Sequence, residues 1–187
     1  MFHSIDYLKS GTHIQQRAYI VLKELNIMND LSEYLPTLCG TIPINLNVQG
    51  SDLDIIMEVY DYPDWIKRVT ALYGHLDDFI HKNKVIRNTP IVKLNFYFKE
   101  FEFELFAQNQ PVKRQHAYLH MITEHAILKE APHLGEKIKS LKRSGVKTEE
   151  AFCEVLRLRG KDPYLRLLEY GREKGFINDR TTFGRKR

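Results

Sequence analysis

Between residues 91 and 106 the side chains alternate in character. Val92, Leu94, Phe96 and Phe98 interleave with Lys93, Asn95, Tyr97 and Lys99, and after a polar break Phe101, Phe103 and Leu105 interleave with Glu102 and Glu104. A period of two belongs to a β-strand and not to a helix, which confines this stretch to a hairpin turning near Lys99-Glu100. One face is apolar and the other carries Glu102 and Glu104. The aromatic residues Phe96, Phe98, Phe101 and Phe103 are accounted for better by core packing than by a base-stacking platform.

A second feature bears on chemistry. Cys39-Gly40-Thr41 is followed by Gly50-Ser51-Asp52-Leu53-Asp54-Ile55, which sets two acids on one side of a predicted strand. Asp is depleted in strands, and like charges two residues apart share a face, so Asp52 and Asp54 repel unless a cation sits between them. Magnesium takes oxygen ligands, and it accepts one or two carboxylates while keeping its other positions for water and substrate phosphates. A phosphate-handling site is therefore expected. A third acid on a neighbouring strand would complete a two-metal phosphoryl site with ions roughly 3.5–4 Å apart. Glu104 is the expected third acid. Glu102 on the same face is its alternative, and a solvated edge face is the plain reading of both.

Helical spacing of Ile14, Ala18, Val21, Leu22 and Leu25 predicts an amphipathic helix over 14–25, started by Gly11-Thr12. Short strands are expected at 37–39 and 53–59. A helix capped by Asp64 is expected over 65–81, with Trp65 and Tyr73 packing it, and then a strand near 84–87 before a turn at Asn88-Thr89-Pro90. From Pro111 onward the pattern is helical over 112–129, 134–142, 148–159 and 162–174, broken at Pro132, Gly145, Gly160 and Gly175. The class is α+β: a small mixed sheet with flanking helices, then an all-helical portion. The chain is expected to form one structural unit, with a core over residues 1–110 and a helical portion over 111–187 packed on it.

The chain has 187 residues, of which 43% are hydrophobic and 28% charged, and no apolar run approaches the roughly 20 residues that span a bilayer. It is read as soluble, without a secretory signal. Two cysteines, Cys39 and Cys153, point to a reducing, cytoplasmic setting. Residues 1–110 hold 10 basic against 14 acidic side chains and residues 111–187 hold 18 against 10. That basic portion is either a solvated helical surface or a draw for an anionic partner. The stretch 178–187 is expected to fray, with Arg185-Lys186-Arg187 as a nucleic-acid contact in the alternative. His116, His120 and Glu124 share one helical face and form a weaker candidate zinc site. Gln108, Arg114 and His120 are candidates to line a cleft.

Gly40-Thr41 followed by Ser51-Asp52-Leu53-Asp54-Ile55 resembles the signature of the DNA polymerase beta-like nucleotidyltransferases, in which a Gly-Ser turn ends one strand and an Asp-x-Asp pair occupies the next. Gly-Thr-Ile-Pro, Gly-Ser-Asp-Leu-Asp-Ile-Ile, Phe-Glu-Phe-Glu-Leu-Phe-Ala-Gln and the run Gln115 to Met121 resemble, more narrowly, an uncharacterised bacterial branch of that superfamily, a domain of unknown function, over most of the chain. The resemblance implies a minimal nucleotidyltransferase core. Asp52, Asp54 and Glu104 would be catalytic metal ligands for two Mg²⁺ ions, or Mn²⁺ in their place, and Gly40, Thr41 and Ser51 would lie on the nucleotide. It implies a nucleoside triphosphate as donor and a small molecule, protein or RNA as acceptor. An inactive nucleotide- or RNA-binding protein of the same fold is the alternative. Three departures stand out: Thr41 replaces the commoner Ser, Pro43 and Ile44 occupy a region where a glycine is usual, and the third acid is Glu instead of Asp.

Overall fold

Short polar side chains start the helices of this chain. In the computed structural model, which describes residues 2–178, Thr12 and Gln15 form a reciprocal capping box at the head of α1 (His13–Leu25). After the one-turn α2 (Ile27–Asp30) come β1 (Thr37–Cys39) and β2 (Leu53–Glu58). Asp61 caps α3 (Tyr62–Tyr73) by accepting from the Asp64 backbone N–H, and this corrects the expectation that Asp64 is the cap. Pro63 then falls in the first turn, where its missing N–H leaves no helical bond unmade.

The helix ends at Tyr73, not near residue 81, because the chain from Asp77 enters β3 (Asp77–Ile86). This strand is almost wholly exposed on both faces and carries an irregularity between Asp77 and Ile80, so no apolar alternation marks it. A two-residue turn, Arg87 and Asn88, both with positive φ, leads to β4 (Thr89–Phe98). Lys99-Glu100 then turns the chain into β5 (Phe101–Gln108).

The five strands form one mixed sheet in the order β1-β2-β5-β4-β3, with β2 parallel to β5 and the other pairs antiparallel. The architecture is α+β, as expected. Leu53, Ile55 and Met57 of β2, Val92, Leu94 and Phe96 of β4, and Phe101, Phe103 and Leu105 of β5 share a core with Ala18, Val21 and Leu22 of α1 and Trp65, Val69 and Tyr73 of α3. Phe96 lies at its centre, stacked on Tyr73 at 5.4 Å and on Phe103 at 5.0 Å.

Four helices follow: α4 (His116–Glu130), α5 (Leu134–Arg143), α6 (Thr148–Val155) and α7 (Pro163–Glu173). α4 starts at His116 instead of residue 112 because Pro111 leads into a single 3-10 turn and Gln115 is extended, its side-chain amide donating to the carbonyls of Met57 and Gln110. α6 stops at Val155 because Arg157 takes a left-handed conformation. The chain divides into two compact units, Met1–Tyr118 and Leu119–Arg187. No helix among the described residues is long and apolar enough to cross a membrane. Both cysteines are free and buried. The basic stretch 180–187 lies outside the described residues.

Phe96→Ala should cost about 3–5 kcal/mol, read from the shift in denaturant midpoint, as expected for a fully buried aromatic ring. Val85→Ala on the exposed edge should change it by less than about 0.5 kcal/mol, and equal effects would refute this placement of the core.

Candidate active site

Parallel pairing sets Leu53 opposite Phe103 and Asp54 opposite Glu104. Alternation along both strands then sends Leu53, Ile55, Phe103 and Leu105 to the core and leaves Asp54 and Glu104 together on the other face. Asp52 lies one residue ahead of β2, so the two aspartates do not share a strand, contrary to the expectation. Even so, Asp52, Asp54 and Glu104 each offer a carboxylate oxygen, and these atoms lie within 4.8 Å of one another. All three residues are half-buried.

Glu102 is held elsewhere on the same face. Its carboxylate accepts from the Asn95 side-chain amide at 2.9 Å and from the Tyr97 hydroxyl at 3.2 Å. Lys93 of β4 forms an ion pair with Glu104 on the diagonal across the β4–β5 ladder. Burial raises the Asp52 carboxyl above its ordinary value, and the charges of Glu104 and Glu102 push it further up. A hydrogen bond from its own backbone and the charge of Lys93 act the other way.

Antiparallel pairing of Cys39 with Asp54 brings the Gly40 turn against the cluster. Gly40 has φ +76°, and a Cβ added there would lie 2.0 Å from Oδ2 of Asp54. Glycine is required twice, once by the backbone and once by the carboxylate. The Thr41 carbonyl accepts from the Leu46 N–H at 2.9 Å and closes this turn. The Ser51 hydroxyl accepts from the Val48 N–H at 2.9 Å, while its own N–H donates to the Val48 carbonyl. Burial, with the charge of Asp54, holds the Cys39 thiol well above its ordinary range, which makes it a poor nucleophile.

Of the cleft candidates, Gln108 closes the far end of β5, about 13 Å along the strand from Glu104. His120 is buried against Tyr164 in the second unit. Sequence reasoning missed Lys93 as a partner of the acids. Its polar-face parity is visible in the alternation, but its diagonal contact depends on the hairpin register.

The donor set suits a hard divalent cation. Three carboxylates supply oxygen ligands, and burial, with the charges of Glu104 and Glu102, raises the Asp52 carboxyl, a cost of ionisation that a cation would offset. Mg²⁺ and Mn²⁺ both match an all-oxygen site.

The chain is similar in structure to the GLD-2/RNP-8 complex (14% identity, 97% of this chain and 76% of that chain covered, TM-score 0.56). It is also similar to a Cid1 poly(U) polymerase variant bound to MgATP (16% identity, 83% and 50% covered, TM-score 0.51). A third similar structure is a cytoplasmic RNA terminal U-transferase (16% identity, 70% and 39% covered, TM-score 0.48). The chain thus spans half or less of the length of the last two. At these identities the likeness is one of fold, and that fold is nucleotidyltransferase-like. A family model described as a domain of unknown function (DUF4269) matches residues 20–170, and the chain belongs to that family. No curated protein matches the sequence.

Gly40→Ala should cost about 1–2 kcal/mol for the left-handed backbone alone, and more in the presence of Asp54. In an Asp54→Ala background the nearest atom of residue 54 retreats to the Cβ, 3.4 Å away, so only the backbone cost should remain. Additive losses in the double-mutant cycle would contradict this contact.

Because the Asp52 pKa is raised on folding, its contribution to stability is full below the ordinary value of 3.8 and is lost as pH rises through the folded value. In a chelator, Asp52→Asn should therefore show a flatter dependence of Tm on pH than wild type and a higher Tm at pH 7. Parallel profiles would count against a carboxyl raised by burial and by the charges of Glu104 and Glu102.

Proposed function

We propose that this chain is a metal-dependent nucleotidyltransferase that transfers a nucleoside monophosphate from a nucleoside triphosphate to an acceptor hydroxyl. The observation that carries this reading is the convergence of Asp52, Asp54 and Glu104 on one face of a sheet of nucleotidyltransferase-like fold. The three carboxylates would hold the cations. When bound, Mg²⁺ would offset the triphosphate charge and lower the pKa of the acceptor hydroxyl.

The turn at Gly40 and Thr41 and the loop at Ser51 border the cluster. Backbone N–H groups and hydroxyls there suit phosphate oxygens, and Gly40 lets the chain approach an anion closely. In the reaction, the acceptor oxygen bonds to the α-phosphorus in line with the departing pyrophosphate, whose bridging P–O bond breaks. Glu104 is the carboxylate suited to take the hydroxyl proton. It is favoured over Glu102 because its carboxylate oxygen lies within 4.8 Å of those of Asp52 and Asp54, a group to which Glu102 does not belong.

The acceptor is a small molecule, a protein or an RNA. An RNA 3′ end is the first to try, because the fold is shared with a poly(U) polymerase. The setting is cytoplasmic in this reading.

Asp54→Asn should lower Mg²⁺-dependent pyrophosphate release by about 10²–10³-fold or more, the kinetic equivalent of several kcal/mol, with circular dichroism unchanged. Full turnover in that variant would remove the proposal. Nucleotide-dependent thermal stabilisation of wild type without turnover on any acceptor class would identify instead a binding protein of the same fold.

A further inference from the structure

The second unit carries its own cluster of metal-ligating groups. α4 places His120 and Glu124 one turn apart on the same face, and α6 contributes Glu149 from its first turn. One ligand atom from each of the three lies within 4.8 Å of the others. His120 and Glu124 are both 4% exposed, while Glu149 is half-buried. The His120 ring packs against Tyr164 of α7 with centroids 4.0 Å apart, which limits its swing. His116, the other histidine of the sequence motif, is not in the group, and Glu149 replaces it as the third donor.

A buried carboxylate with a second, half-buried one beside it is stabilised by a proton or a cation between them. Burial and the charge of Glu149 hold the Glu124 carboxyl well above its ordinary range, and Lys142 pulls in the opposite direction.

The donor chemistry differs from that of the first unit. There the three donors are all carboxylates, which suit Mg²⁺; here an imidazole joins two carboxylates, a set that suits Zn²⁺. Zinc bonds of about 2.0–2.2 Å place tetrahedral ligand atoms about 3.3–3.6 Å apart, so the three donors need to draw in by at most about 1.5 Å. Side-chain rotation can supply that.

We propose that His120, Glu124 and Glu149 form a Zn²⁺ site that ties α4 to α6, with water as the fourth ligand. A helical unit this small gains stability from such a staple. The site is separate from the Asp52 cluster and does not depend on the proposed transfer reaction.

The test is Zn²⁺ titration by calorimetry on the full chain, stripped with a chelator and then held in saturating Mg²⁺, with Co²⁺ absorption as a second readout of the ligand field. Wild type and Asp54→Asn should each bind one Zn²⁺ tightly and gain Tm. Glu149→Gln, at a half-buried position, should keep its fold and weaken Zn²⁺ by about 100-fold. His120→Gln should erase the tetrahedral Co²⁺ spectrum. Zinc binding that disappears with Asp54→Asn, or that survives Glu149→Gln unchanged, would overturn the proposal. Failure of the transfer assay alone would leave both zinc readouts as they are.

Discussion

The parallel pairing of β2 with β5 is the contact on which the rest of the first unit depends. The two strands are far apart in sequence, and once Leu53 lies opposite Phe103, alternation decides everything that follows on both sides of the sheet. Leu53, Ile55, Phe103 and Leu105 meet α1 and α3 on one face. Asp54 and Glu104 meet on the other. A slip of one residue would exchange these sets, burying carboxylates against Trp65 and exposing Phe103. The apolar core therefore enforces the register that clusters the acids, and their mutual repulsion is a cost the core overcomes.

Around that pair the neighbouring strands supply compensation. β1 brings Cys39 alongside Asp54 and then turns away at Gly40, the one residue type that leaves room for the carboxylate. β4 brings Lys93 to Glu104 and uses Asn95 and Tyr97 to hold Glu102. The two glutamates of β5 look equivalent in sequence, sharing a face two residues apart, yet they end in different electrostatic roles. Glu102 is satisfied by neutral donors, whereas Glu104 is balanced by a cationic side chain whose flexible stem can yield to a metal ion.

How much of this was legible in the sequence follows from how local each signal is. The 91–106 hairpin was readable because its alternation is strong and its turn short, and the ends of α4, α5 and α7 because Pro or Gly follows them, whereas α6 stops short of Gly160 at the left-handed Arg157. β3 was not. With both faces in solvent, residues 77–86 carry no periodic pattern, and the preceding helical spacing ran on through them. The cap of α3 was misplaced because Asp61 and Asp64 flank Pro63, and either is a sound start until the helix is seen to include the proline. Convergence of Asp52, Asp54 and Glu104 rests on a parallel pairing that no local pattern specifies. In the sequence, the polar-face position of Glu104 on an expected neighbouring strand linked it to the aspartates, and the resemblance of the motifs added to that link.

Both units gather carboxylates, and the contrast in surroundings separates what each gathering can do. At Asp52, Asp54 and Glu104 the acids are half-buried and ringed by a glycine turn and a polar loop. Such a site can exchange water and admit a polyanion. At His120 and Glu124 the donors are almost wholly enclosed by helices, and an imidazole takes the place of an oxygen donor. Enclosure raises the cost of charge on Glu124. In the proposed readings an ion in the first setting meets substrate, while an ion in the second ties α4 to α6. The same residue types thus divide between chemistry and architecture according to how far the surrounding chain withdraws them from water.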